Sequence, residues 1–327
     1  MLELFRRNLF INNVLLLPYI FILRLSTLLQ PAVFQTDANT NILQNIIYQA
    51  IPSGLLQNIV ANILIFFHAL MINYIFINHR MSRDITLFSG VFYVLLVTIN
   101  IDNSLLSNVL IANSFIILAL YNLLKTYKIP HPTANIFNTG FWIGVAGLFY
   151  SPYFLFILFG LISLLVLRSF KFIEKLQYFI GCAVPYFLLF TYRYWYGIEF
   201  IELNFIKDMF FRIPQLSMDG MIIFYIAVGL ILFSVIFVLI NYGNFVSKKS
   251  IQTQKKIDIV YWLLLSSLIS FLVFKSENVS HLMTLALPLS LLIGIYASDT
   301  KKRVFNELVH ILIVALIYIS HFYLINI

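Results

Sequence analysis

The chain has 327 residues and a net charge of +8; 61% of its residues are apolar, only 10% are charged, and its mean hydropathy is +0.94. A soluble domain carries about 25% charged residues, so this chain lacks the polar surface to clothe a water-facing core and is expected to be solvated by lipid. One all-α transmembrane domain over 1–327 is expected rather than two soluble ones, and the basic residues form no nucleic-acid patch, because they come in short clusters between apolar runs.

Apolar runs between polar punctuation give eleven segments in chain order. The first, 9–29, follows MLELFRRNLF and has no small-residue cleavage site behind it, so it is expected to stay as a helix. Segment 30–54 mixes polar and apolar residues at the spacing of a helix lying in the interface, and it carries Asp37. Span 55–77 places Asn58, Asn62 and Asn73 within about 60° of one another at 100° per residue, with His68 about 80° to the side. Polar groups in hydrocarbon need partners, so helix-to-helix glue is preferred to a substrate pathway. With no second ligand at i+3 or i+4, His68 is expected to be a hydrogen-bonded packing residue rather than a metal ligand.

Spans 85–101 and 104–124 meet at a short turn holding Asp102, and Ser104, Asn108 and Asn122 form a second polar line. Segments 136–150 and 152–167 are divided only by Ser151 and Pro152, which predicts a tight hairpin of two short helices. Span 177–196 contains the lone Cys182, expected to act as a small hydrophobe, and ends in TYRYWYG. Its rings suit the headgroup level, while Arg193 among them either snorkels or holds a lipid phosphate bidentately. Segment 197–219 is a second interfacial candidate, followed by spans 220–243, 258–275, 279–297 and 304–324. The connector NFVSKKSIQTQKKID is basic and would attract anionic lipids.

Placing the N-terminus in the cytoplasm puts sixteen of the twenty-one Lys and Arg residues on the cytoplasmic side. Only Arg24, Arg193, Lys207, Arg212 and Lys275 fall outside. That asymmetry is the positive-inside pattern, and it predicts a C-terminus outside. The outer acids include Asp37 and Asp102, each able to act as a base or to hold a divalent cation, or to be a solvated loop charge. No P-loop, GxGxxG, HExxH or CxxC is present, and the intramembrane charges form no ladder for ion coupling.

With this order of elements the chain resembles the type C glycosyltransferases, polytopic enzymes that take a sugar from a polyprenyl-phosphate carrier at the outer face. The similarity lies in the first span leading to an outer loop with Asp37, in IDNSLLSN, in NTGFWIGVAGLFYSPYFLFILFGLISLLVLRSFK, in GCAVPYFLLFTYRYWYG and in SHLMTLALPLSLLIGIY. The chain departs from the family in having a single acid in the first loop and no large outer C-terminal domain. It also looks like one of the uncharacterised bacterial inner-membrane families with divergent relatives of this kind. The resemblance implies Asp37 as general base, Asp102 orienting a metal or the acceptor, and Arg193, Lys275 and His281 near the leaving phosphate. No cofactor is implied beyond a divalent cation. Two other classes stay open: a non-catalytic subunit of an envelope secretion, transport or motility assembly, bound to membrane-protein partners, and a carrier of lipid-linked glycans.

Overall fold

The computed structural model describes residues 2–29, 54–99, 106–169, 171–197, 221–247, 249–273, 279–300 and 303–325. The segments 30–54 and 197–219 fall outside these, except for Gly54 and Gly197, and so do Asp37, Asp102 and Lys275. Among the described residues there are thirteen α-helices and three short 3-10 turns, with no strand.

After a 3-10 turn at Leu2–Arg6 come α1 (Phe10–Leu23) and α2 (Leu25–Leu29), so the first apolar run breaks at Arg24. Next are α3 (Gly54–Asn78), α4 (Phe88–Thr98) and α5 (Asn108–Lys125), whose first turn is capped by Ser107 Oγ accepting from the Leu110 amide at 3.2 Å. Helix α6 (Thr133–Phe149) leads through extended Tyr150 and a 3-10 turn at Ser151–Leu155 into α7 (Phe156–Leu167), the tight hairpin that Ser151–Pro152 suggested. Then come α8 (Phe172–Trp195), α9 (Met221–Ile240), α10 (Tyr242–Val246), α11 (Ile251–Val273), α12 (Met283–Asp299) and α13 (Arg303–Ile325).

Helix α4 is the centre of the bundle. All eleven of its residues are buried, as a helix apolar on every face must be. At 1.5 Å per residue it is about 16 Å long. It packs between α3 and α12, and α12 is itself buried along nearly its whole length. These contacts need small residues. The Gly90 amide donates to Asn73 Oδ1 at 2.7 Å, and Gly294 leaves the room that Ser89 fills.

A second close packing joins α6 to α8. A Cβ on Gly140 would run into the Tyr178 carbonyl, one on Gly144 would stand 2.6 Å from the Cys182 carbonyl oxygen, and Gly181 faces the Phe137 carbonyl in return. Small residues four apart let membrane helices approach backbone to backbone. Cys182 sits within this seam, buried.

Five helical stretches are long and apolar enough to cross a membrane: Gly54–Asn78, Asn108–Lys125, Phe172–Trp195, Ile251–Val273 and Ser280–Asp299. Four shorter apolar helices accompany them. The chain is a multi-pass membrane protein.

Candidate functional site

The contacts distinguish the two ends of the bundle. At one end Lys249 Nζ lies 2.8 Å from Asp299 Oδ2, Arg6 lies 3.8 Å from Asp84, and Arg168 is bidentate to Glu174 at 2.9 Å. Arg168 also donates to the carbonyls of Thr126 and Ile129. The N-terminal turn docks here too, with the Leu2 amide donating to Glu307 and the Leu87 amide to the Phe5 carbonyl.

Toward the other end lies a layer of buried, neutral polar side chains. His281 Nε2 faces the Ser270 carbonyl at 3.2 Å. A carbonyl can only accept, so Nε2 carries the proton and Nδ1 accepts from the Tyr150 hydroxyl. Tyr150 stands edge-on to Tyr153, whose hydroxyl donates to Asn113 Oδ1, and Asn113 Nδ2 donates to the Met283 carbonyl at 3.3 Å. The Tyr93 hydroxyl lies within reach of Asn113 and 2.8 Å from His68 Nδ1, while His68 Nε2 meets Ser114 Oγ at 2.7 Å. The layer thus ties α3, α4, α5 and α12 to the α6–α7 hairpin. Satisfied networks of this kind fix a unique arrangement in a low dielectric; Tyr93, Asn113, Tyr153, His68 and His281 are buried, and Tyr150 and Ser114 are half-buried.

Beyond this layer two guanidiniums are buried. Arg24, 2% exposed, sits at the break between α1 and α2; its carbonyl accepts from Thr27 Oγ1, and the Thr27 carbonyl accepts from Asn58 Nδ2 at 3.0 Å. That contact puts Arg24 level with the first turns of α3. Arg193, 8% exposed, lies in the last turn of α8, one to two turns past Tyr186, which meets the hairpin at Phe154. Both arginines are therefore at the end away from the Lys249–Asp299 pair. One turn further along α3 from Asn58 is Asn62, buried to 1%, with neither amide atom partnered among the described residues. A buried polar group without a partner is costly, so Asn62 marks a place where a polar atom is expected.

Of the residues singled out from sequence, Asp37, Asp102 and Lys275 lie outside the described residues. Arg193 is buried while its neighbours Tyr192, Tyr194, Trp195 and Tyr196 are exposed, so belt and guanidinium face different surroundings. His281 is buried with both ring nitrogens engaged. His68 is the packing residue its isolation suggested. Sequence reading missed Tyr93, Asn113, Tyr150 and Tyr153, which sit as isolated polar side chains in apolar runs. Among the described residues no group of three or more His, Cys, Asp or Glu side chains could hold a metal.

A family model matches residues 38–327 of the chain. The chain belongs to DUF6427, a family of unknown function. No curated protein and no solved structure matches it. The DUF6427 match begins just after Asp37 and takes in the polar layer, Arg193 and His281, so these fall within the part of the chain that defines the family. Arg24 and the N-terminal turn precede it.

Proposed function

We propose that this DUF6427 chain is a glycosyltransferase-like protein of the bacterial inner membrane, acting on a polyprenyl-phosphate-linked sugar at the outer face. The observation that carries the reading is the pair of buried guanidiniums, Arg24 and Arg193, at one end of the bundle. A guanidinium matches phosphate oxygens bidentately, and a leaving polyprenyl phosphate needs positive charge beside it. The scheme sets Asp37 and Asp102 at that same end, in the connections that follow α2 and α4. In this scheme Asp37 takes the proton from the acceptor hydroxyl as its oxygen attacks the sugar C1. The bond from C1 to the carrier phosphate breaks, and Arg193 and Lys275 stabilise the phosphate released. Asp102 orients the acceptor or a divalent cation. His281 supports the floor of the site through Tyr150. The membrane arrangement is eleven crossings with the N-terminus in the cytoplasm and the C-terminus outside.

The test is complementation of a deletion strain by Asp37→Asn at matched expression. A general base contributes about 10²–10⁴-fold, so the variant is expected to fail. Full complementation removes Asp37 as base.

One observation favours a second reading, a non-catalytic subunit of an envelope assembly. Helix α8 exposes Phe172, Phe179, Phe187, Phe190, Tyr194 and Trp195 along its length, and aromatic area of this kind serves docking to another membrane protein. A stoichiometric protein partner on purification from native membranes would select it, whereas a co-purifying polyprenyl lipid would select the enzyme or a carrier of lipid-linked glycans.

A further inference from the structure

A second polar corner lies at the opposite end from Arg24 and Arg193, where α3 and α5 finish and α11 begins. His79 follows directly on α3 and is buried. Its Nδ1 is 3.0 Å from the ammonium of Lys256, itself only 4% exposed. An ammonium can only donate, so Nδ1 accepts and the ring proton is on Nε2. That buried N–H finds no partner among the described residues. Lys125, half-buried, is the other charge facing His79, and its Nζ stands 3.9 Å above the Tyr121 ring.

Lys256 and Lys125 thus both face His79, with no acid paired to either lysine among the described residues. The nearby acids are engaged elsewhere: Asp299 pairs with Lys249, and Asp258 accepts from the Tyr242 hydroxyl at 2.9 Å. Burial first, then Lys256 and Lys125, hold the His79 imidazole down to about 3, so it stays neutral and can meet an anion only as an N–H donor, leaving the charge to the lysines. Around the corner stand Tyr74, whose ring is 5.7 Å from Tyr121, and Tyr127, with Lys255 Nζ 5.9 Å from its ring. Tyrosines beside lysines belong at headgroup depth. A buried ammonium met only by a neutral imidazole lacks the anion that such charges ordinarily require.

We propose that the corner formed by His79, Lys125 and Lys256 binds the phosphate of an anionic phospholipid headgroup. Lys125 and Lys256 pair with its oxygens, the His79 Nε2–H donates to it, and Tyr74 and Tyr121 flank the glycerol region. A free phosphate shares the chemistry but not the acyl chains, and lipid is the better occupant because the corner lies at the ends of membrane-length helices.

The experiment uses the full chain purified in detergent and follows lipid retention by native mass spectrometry. Phosphatidylglycerol, phosphatidylcholine and inorganic phosphate are titrated separately. Phosphatidylglycerol is expected to be retained in preference to phosphatidylcholine. Lys125→Gln and Lys256→Gln are each expected to weaken its retention about tenfold, the loss of one charge-assisted contact. Arg303→Gln, outside the corner, is expected to leave it unchanged. Should Lys256→Gln fail to fold, the half-buried Lys125 position gives the same comparison. Equal retention of both lipids, or undiminished phosphatidylglycerol in the Lys125→Gln protein, overturns the proposal. Saturable binding of inorganic phosphate without preference for phosphatidylglycerol overturns the lipid source.

Discussion

His68 Nδ1 lies 2.8 Å from the Tyr93 hydroxyl while its Nε2 lies 2.7 Å from Ser114 Oγ. One imidazole therefore fastens α3 to α4 and α5 together. Both contacts are with hydroxyls that can donate or accept, so a neutral ring satisfies them in either tautomer. The ring belongs to the framework that supports the arginine-bearing end, with no atom left over to bind a ligand.

Removing that bolt should loosen the bundle without touching the proposed chemistry. His68→Leu leaves the buried Tyr93 hydroxyl and the half-buried Ser114 hydroxyl with one partner fewer, and Tyr93→Phe leaves one imidazole nitrogen unmet. Each is expected to cost about 1 kcal/mol, near the value for interhelical hydrogen bonds in membranes. Thermal unfolding in detergent measures it, and the double variant should lose less than the sum because the two residues share a bond.

The α6–α8 seam predicts a larger effect from a smaller change. At Gly144 a Cβ would stand 2.6 Å from the backbone oxygen of Cys182, and backbone cannot swing away as a side chain can. Gly144→Val is expected to cost about 3 kcal/mol, at the upper end of overpacking. Gly229, on α9, has nothing within 4 Å of its Cβ position. There Gly→Ala should be neutral or stabilising by up to about 1 kcal/mol through helix propensity. If both variants lower the midpoint equally, the seam is not the close contact described.

The pH dependence follows from His79. Folding lowers its imidazole from 6.5 to about 3, chiefly by burial. The stabilisation linked to the neutral ring is fully present above pH 6.5 and is lost progressively as pH falls from there toward 3, because the unfolded chain binds the proton first. Native protein should therefore lose stability between about pH 6.5 and pH 4, and His79→Gln should flatten that slope. Lys249 has its ammonium lowered by burial although Asp299 pulls the other way. Asp299→Asn removes the opposing charge and should destabilise by about 1 kcal/mol, the upper end for a partly exposed pair. The test is the thermal midpoint against pH.

Much of the bundle was legible because apolar periodicity and turn residues are local signals. Ser151–Pro152 marked the break between two short helices, whereas the close approach of α8 at Gly140 and Gly144 depends on tertiary packing. The break at Arg24 was not legible, since LRLSTLLQ reads as continuous apolar helix and burial of the guanidinium depends on α3. The polar layer was hidden for a related reason. Tyr93, Tyr150 and Tyr153 count as apolar in any span, and only tertiary packing shows that their hydroxyls converge on Asn113 and His281. His79 gave no signal of its own in the sequence, since its partner Lys256 stands 177 positions later.

The proposed membrane arrangement predicts where labels reach. In the eleven-crossing scheme residues 168–176 are cytoplasmic and 325–327 are outside. A cysteine placed at Lys171 should be protected from an impermeant thiol reagent in intact cells, and one at Ile327 should react. Cys182 is buried and should stay silent in both. Labelling at Lys171, or protection at Ile327, would show a miscounted crossing.

The two functional readings part at Arg193. If its guanidinium holds the phosphate of a lipid-linked donor, Arg193→Gln removes two parallel charge-assisted bonds. Arg193→Lys keeps the charge while losing the fork. Transfer of sugar from a polyprenyl-phosphate donor to an acceptor should then show KM for the donor rising at least tenfold in the glutamine variant, with a smaller fall in kcat. That split is expected for a group whose contact with the phosphate is mostly made in the bound donor and strengthens as the phosphate leaves. The lysine variant should fall between the two. A merely structural Arg193 would lower the yield of folded protein and leave KM in the surviving fraction unchanged. In a docking subunit there is no transfer to measure, and the same substitution beside the exposed Tyr192 and Tyr194 would instead reduce the amount of partner retained on purification. Measuring donor KM, folded yield and partner retention on the same three proteins separates the readings, and an unchanged KM with normal yield removes Arg193 from the phosphate site.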